Sequence, residues 1–165
     1  STFWTAVTEK HAGPNTSIWL CGNSLGCATV LHVAAKHAPD PKRAGLILRN
    51  PPPLRRVIKR AAKPYPHFGL INPVISELCD SMDTMKTAPR VNLHAVVLQS
   101  ELDTLVPVDF QNEILECYGG PFRKVLMEGI DHDGLATEQH EPEICNSVRW
   151  LWKHTCLTNN QFATE

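Results

Sequence analysis

Gly22-Asn23-Ser24-Leu25-Gly26 reads G-x-S-x-G, with the serine set between the apolar run Ser17–Cys21 and a stretch of helical periodicity that starts at Leu25. A hydroxyl attacks a carbonyl carbon only if it stands clear of its own backbone. A serine used this way therefore sits on a sharp strand-to-helix turn with small residues on both sides. Gly22 and Gly26 are expected to remove the clashes of that turn. The turn also aims the backbone N–H of Leu25, at the helix start, toward the oxyanion that such an attack creates. The serine further needs a base to take its proton and a carboxylate to hold the base in one tautomer. Asp103, in Ser100-Glu101-Leu102-Asp103-Thr104-Leu105-Val106-Pro107, follows the apolar run His94–Gln99, and His132, in Gly129-Ile130-Asp131-His132-Asp133-Gly134, follows Arg123–Glu128. Taken alone, Asp103 also reads as a helix cap. Among the other histidines, His140 near the start of the last helix is the rival base.

These three residues meet only if the elements carrying them belong to one sheet. Phe3, Trp4, Val7 and His11 share a helical face, and Gly13-Pro14 ends that helix before the Ser17–Cys21 strand. Leu25–His37 is predicted as a helix stopped by Pro39, and Gly45–Arg49 as a strand whose unbroken Leu46-Ile47-Leu48 run suits a parallel strand covered on both faces. Pro51-Pro52-Pro53 opens an excursion to about Pro89, rich in Pro, Arg and Lys. Strand His94–Gln99, helix Val106–Tyr118, strand Arg123–Glu128 and helix Pro142–His154 complete the pattern. The alternation predicts one α/β domain over residues 1–165, a three-layer sandwich around a mostly parallel sheet. Serine, acid and base would then emerge at the same carboxyl edge.

The chain has 165 residues, 42% of them hydrophobic, enough for one core. Sixteen basic and seventeen acidic side chains leave a net charge of −1, which excludes the basic field that nucleic-acid binding requires. The longest apolar stretch, Ile18 to Ala35, is cut by Gly22, Asn23, Ser24, Gly26 and His32, so no transmembrane helix is expected. The six cysteines, Cys21, Cys27, Cys79, Cys117, Cys145 and Cys156, show no CxxC spacing and suggest reduced thiols in a cytoplasmic setting. Cys21 and Cys27, which bracket the turn, read as buried structural thiols. Neither a metal-ligand spacing nor a phosphate-binding loop with its lysine is present, so the chemistry is expected to need no cofactor and no metal. Arg55, Arg56, Lys59, Arg60 and Lys63 alternate with apolar residues. They read first as a solvated helix face, and second as a peripheral contact with an anionic membrane.

On the GNSLG turn, the S-x-x-D-x-x-V-P segment and the G-x-x-H segment, the chain resembles the α/β-hydrolase superfamily. It is similar in particular to the serine hydrolases of its monoacylglycerol-lipase-like and serine-aminopeptidase-like branch. The resemblance implies a nucleophile, acid and base at Ser24, Asp103 and His132, and makes the 51–89 insertion a cap over the pocket. It also implies further strands before the Ser24 strand and a loop with a His-Gly signature supplying a second oxyanion donor. No such segment precedes Ser17, so the chain is expected to correspond to the C-terminal part of the fold. A truncated sequence is the first explanation; a naturally minimised domain, or one completed by a partner or second copy over the open sheet edge, are the others. Loss of one oxyanion donor lowers turnover on the order of a hundredfold. The expected activity is hydrolysis of a small acyl substrate, an ester before a thioester or amide. The alternative is a catalytically impaired module that acts by binding.

Overall fold

The computed structural model describes residues 3–11, 13, 16–62, 64 and 82–156. Helix α1 (Phe3–His11) precedes strand β1 (Ile18–Asn23), helix α2 (Leu25–His37) and strand β2 (Ala44–Arg49). Helix α3 (Leu54–Ala62) and a short helix α4 (Thr84–Thr87) follow, then β3 (His94–Ser100), α5 (Val108–Cys117), β4 (Phe122–Met127) and α6 (Glu141–Thr155). The strands form a four-stranded sheet in the order β1-β2-β3-β4, every neighbouring pair parallel. The chain is an α/β fold.

Each parallel pair needs a crossover, and strands added in one direction by right-handed crossovers place the connecting helices on one face. The register shows this: Leu20, Leu46 and Ala95 align across β1–β3, as do Gly22, Leu48 and Val97. Leu46, Leu48, Ala95 and Val97 join Cys27, Val30 and Leu31 of α2 and Ile114 and Leu115 of α5 in one buried cluster. Burying a leucine fully contributes roughly 1.5–3 kcal/mol. Helix α6 returns across the opposite face, where the missing side chain of Gly45 admits it: a Cβ there would lie 2.7 Å from Leu151 Cδ1. The Trp19 indole donates to Thr155 Oγ1 at 2.9 Å, and the Ser17 hydroxyl to the Thr155 carbonyl at 2.6 Å. Helices on both faces make three layers.

Element ends differ from the sequence expectation by one or two residues, for local reasons. β1 runs on to Asn23 because Gly22 and Asn23 pair with Leu48 and Arg49. α5 starts at Val108 rather than Val106, whose N–H is taken by the Asp103 carboxylate at 2.7 Å and whose carbonyl accepts from the Gln111 amide at 2.8 Å. α2 ends as expected, at Ala38 in the left-handed conformation (φ 40°) ahead of Pro39.

The 51–89 excursion is less solvated at its start than its composition suggests. Pro51 to Leu54 are buried, and the Thr84 hydroxyl donates to the Pro52 carbonyl at 2.7 Å. The basic run is anchored rather than free: Arg56 pairs with Glu113 and lies 4.3 Å from the Phe110 ring centroid, and Arg55 Nε is 3.3 Å from the Asp83 carboxylate. Lys63, His67, Cys79 and the middle of the expected cap lie outside the described residues. Cys27 is buried, but Cys21 is exposed because, among the described residues, β1 pairs only with β2. Among those residues no helix is long and apolar enough to cross a membrane.

Candidate functional site

The carboxyl ends of the four strands carry the chemistry-bearing residues. Ser24 follows β1 with φ 50° and ψ −120°, a left-handed conformation rare for a residue with a Cβ, and its hydroxyl does not cap α2. Its N–H donates to the Arg49 carbonyl at 2.8 Å, and its own carbonyl accepts from Cys27 N–H at 2.9 Å. The flanking glycines have unequal roles. A Cβ on Gly22 would lie 2.8 Å from both Cα and N of Cys27, whereas one on Gly26 would meet nothing within 4 Å. Gly22 thus abuts the first turn of α2, whereas among the described residues nothing presses on the Cβ position of Gly26. The N–H of Leu25, first in α2, has no acceptor among the described residues.

The Asp103 side chain is fully buried and that of His132 is 15% exposed; Oδ2 of the first lies 2.6 Å from Nδ1 of the second. A carboxylate oxygen accepts, so Nδ1 carries the hydrogen, and in a neutral imidazole Nε2 is then the acceptor. The other oxygen of Asp103 accepts the N–H groups of Leu105 (2.9 Å) and Val106 (2.7 Å), which locks the carboxylate. Asp103 thus caps the chain before α5 and holds the imidazole at once. His140 is differently employed. It is buried, its Nδ1 accepts from Thr137 N–H at 3.1 Å, and its Nε2 lies 3.1 Å from the Glu128 carbonyl, so neither nitrogen is free for a substrate.

Two neighbours escaped the sequence reading. Asn50 is fully buried at φ 50°. Its Oδ1 accepts from Ser100 N–H at 2.9 Å, while Nδ2 donates to Ser100 Oγ at 3.1 Å and to the His132 carbonyl at 3.4 Å. Arg49 Nη2 donates to the carbonyls of His132 (3.3 Å) and Gly134. A strand-ending Arg-Asn pair carries no motif; only the strand order brings it between the Ser24 turn and the His132 loop.

Comparison with solved structures places this fold. An acetyl xylan esterase from Paenibacillus sp. R4 superposes with TM-score 0.68 at 18% identity, over 91% of this chain and 49% of that one. A puromycin hydrolase does so with TM-score 0.68 at 17% identity, over 90% of this chain and 23% of that one. The fold is that of the α/β-hydrolases. A Paleococcus ferrophilus monoacylglycerol lipase shares it at TM-score 0.58 and 17% identity, over 92% of this chain and 73% of that one. The chain therefore spans about a quarter of the puromycin hydrolase and about half of the esterase. No family model and no curated protein matches the sequence.

Within this α/β-hydrolase fold, Cys27 lies directly under the Ser24 turn, its thiol donating to the Arg49 carbonyl at 3.2 Å. Burial pushes that thiol up to about 12, against the smaller opposing effect of this hydrogen bond, so it is no nucleophile at neutral pH. Among the described residues no group of three or more His, Cys, Asp or Glu side chains is placed to hold a metal ion. The strand edge thus carries a histidine held by a buried carboxylate after β3 and β4 and, after β1, a serine hydroxyl that is not spent on capping.

Proposed function

We propose that the chain is the catalytic part of a serine hydrolase that cleaves a carboxylic ester through an acyl-enzyme. Ser24 Oγ bonds to the carbonyl carbon as its proton passes to His132 Nε2, and Asp103 stabilises the imidazolium that results. The Leu25 N–H donates to the oxyanion. When the tetrahedral intermediate collapses, the C–O bond to the alcohol breaks and the alcohol leaves with the proton from Nε2. Water, deprotonated by the same nitrogen, then releases the acid and restores Ser24.

The observation that carries this reading is the 2.6 Å bond between His132 and the buried Asp103, made on the strand edge that also holds Ser24 at a strained φ of 50°. Backbone strain of this kind is kept where surrounding structure enforces it, and it gathers at functional sites. The surroundings favour a neutral, apolar acyl group. Leu25, Leu102, Leu105 and Leu135 are all at least 49% exposed beside the three residues, and the exposed carboxylates of Glu101, Asp131 and Asp133 oppose an anionic substrate. A fluorophosphonate probe should label the chain and not Ser24→Ala. Equal labelling of the two rules the reading out.

A second reading rests on β1, whose outer side is unpaired among the described residues. On it, the chain is a binding module that accepts a strand from a partner or a second copy along that edge. Ser24-dependent turnover by the isolated monomer favours the first reading; a stoichiometric complex without turnover favours the second.

A further inference from the structure

We infer, on the reading that Ser24, His132 and Asp103 act together, that Arg49 and Asn50 are positioning residues that hold His132 in register with Ser24. The acid and histidine loops are tied to each other first. Leu102 N–H donates to the Ile130 carbonyl at 2.8 Å and Gly129 N–H to the Glu101 carboxylate at 2.8 Å, in addition to the Asp103–His132 bond. These contacts make the two loops one unit but say nothing of where that unit stands relative to the serine. Among the described residues, the side-chain hydrogen bonds that link it to the Ser24 turn run through positions 49 and 50. The Arg49 carbonyl receives the Ser24 N–H, while its guanidinium reaches the carbonyls of His132 and Gly134. Asn50 grips Ser100, where the acid loop leaves β3, and donates to the same His132 carbonyl. One residue therefore holds the serine through its backbone and the histidine loop through its side chain.

Stability alone is a poor reason for this arrangement. Among the described residues Arg49 Nε is buried without a hydrogen-bond partner, a penalty that an apolar side chain would not carry. Asn50 adopts a left-handed backbone in full burial. Both departures are understandable if what is gained is the placement of His132, since a displacement of about 1 Å between reacting groups costs about a hundredfold in rate.

The test uses the whole chain and the variants Arg49→Met, Arg49→Lys and Asn50→Asp, the last keeping shape and left-handed tolerance while losing both amide donors. One readout is the low-field proton NMR resonance of His132 Nδ1–H, assigned by its loss in Asp103→Asn. The other is steady-state turnover of a short acyl ester. The resonance should be sharp in wild type and in Arg149→Gln, a control at an exposed α6 residue that donates to Asn146, broadened in Arg49→Met and Asn50→Asp, and partly restored in Arg49→Lys. Arg49→Met and Asn50→Asp should lose roughly 10–100-fold in kcat with KM within about twofold, because neither side chain touches substrate. Sharp resonances with kcat within about twofold of wild type in both folded variants overturn the inference, as does a wild-type spectrum without the resonance. If Arg49→Met fails to fold, Asn50→Asp carries the test. A wild type without Ser24-dependent turnover refutes the hydrolase reading separately, and the resonance then decides the positioning role by itself.

Discussion

Substituting Gly22 and Gly26 separately tests the geometry of the Ser24 turn. In Gly22→Ala the new methyl would sit 2.8 Å from two backbone atoms of Cys27 and 2.9 Å from the Gly26 carbonyl carbon. Ordinary contacts begin near 3.4 Å, and backbone cannot swing aside as a flexible side chain can, so β1 and α2 must part by about half an ångström. Overpacking of this kind costs about 1–3 kcal/mol. For a chain of this size that lowers Tm by roughly 2–12 °C, taking roughly 2–4 °C per kcal/mol. Because the shift falls on the residues that impose the φ of 50° on Ser24, labelling by a serine-directed probe should drop at least about tenfold per folded molecule. Gly26→Ala meets nothing within 4 Å among the described residues and lies inside α2, where alanine is the better helix former by up to about 1 kcal/mol. Its Tm should hold or rise, and its labelling should stay within about twofold. Thermal melts with labelling of the folded fraction decide the matter: equal damage from the two substitutions, or the reverse order, would refute the account of the turn.

His140→Leu should reduce stability by about 1–3 kcal/mol, since it strips partners from Thr137 and the Glu128 carbonyl, yet leave turnover per folded molecule unchanged. A loss of turnover matching that of His132→Ala would move the base to position 140. An alkylating thiol reagent at about pH 8 should modify the exposed Cys21 and Cys145 in the native chain and reach Cys27, pushed up to about 12, only on unfolding. Mass mapping that finds Cys27 modified first would contradict its burial. His94 is held below its ordinary value of 6.5 by burial and then by His154, whose ring stacks on it at 4.7 Å between centroids. The unfolded chain therefore binds this proton more readily, so His94 leaves stability undiminished above pH 6.5 and subtracts from it as pH falls through that value. His94→Phe should flatten the loss of denaturation free energy between about pH 7 and 5; identical profiles would exclude His94 as its source.

The alternation of strands and helices was legible in the sequence because burial on both faces of a parallel sheet writes itself as unbroken apolar runs, as in Leu46-Ile47-Leu48, and helices as recurring apolar positions, as in Ala28, Leu31 and Ala34. The serine turn was legible for a steric reason: a strand that turns at once into a helix lying against it leaves no room for a Cβ at Gly22. What the spacing could not distinguish was Gly22 from Gly26, since each is one letter of the same motif and only the packed helix shows which is pressed. Nor could it tell His132 from His140. Both lie past β4, and what separates them is where each ring finds its partners: a buried carboxylate 29 residues away in one case, a turn and a backbone carbonyl of its own loop in the other.

Local pattern therefore determined which segments are strands and helices, and placed Ser24, Asp103 and the two histidines His132 and His140 after successive strands, because periodicity and turn chemistry depend on neighbours in sequence. Tertiary structure alone decided that Arg49 and Asn50 stand between the serine turn and the histidine loop, that Arg56 packs on Phe110, and that Cys21 faces outward while Cys27 does not. Those facts follow from the order in which strands are laid side by side. Contacts between residues 83 positions apart, such as Arg49 with His132, leave no period in the chain for a sequence to display.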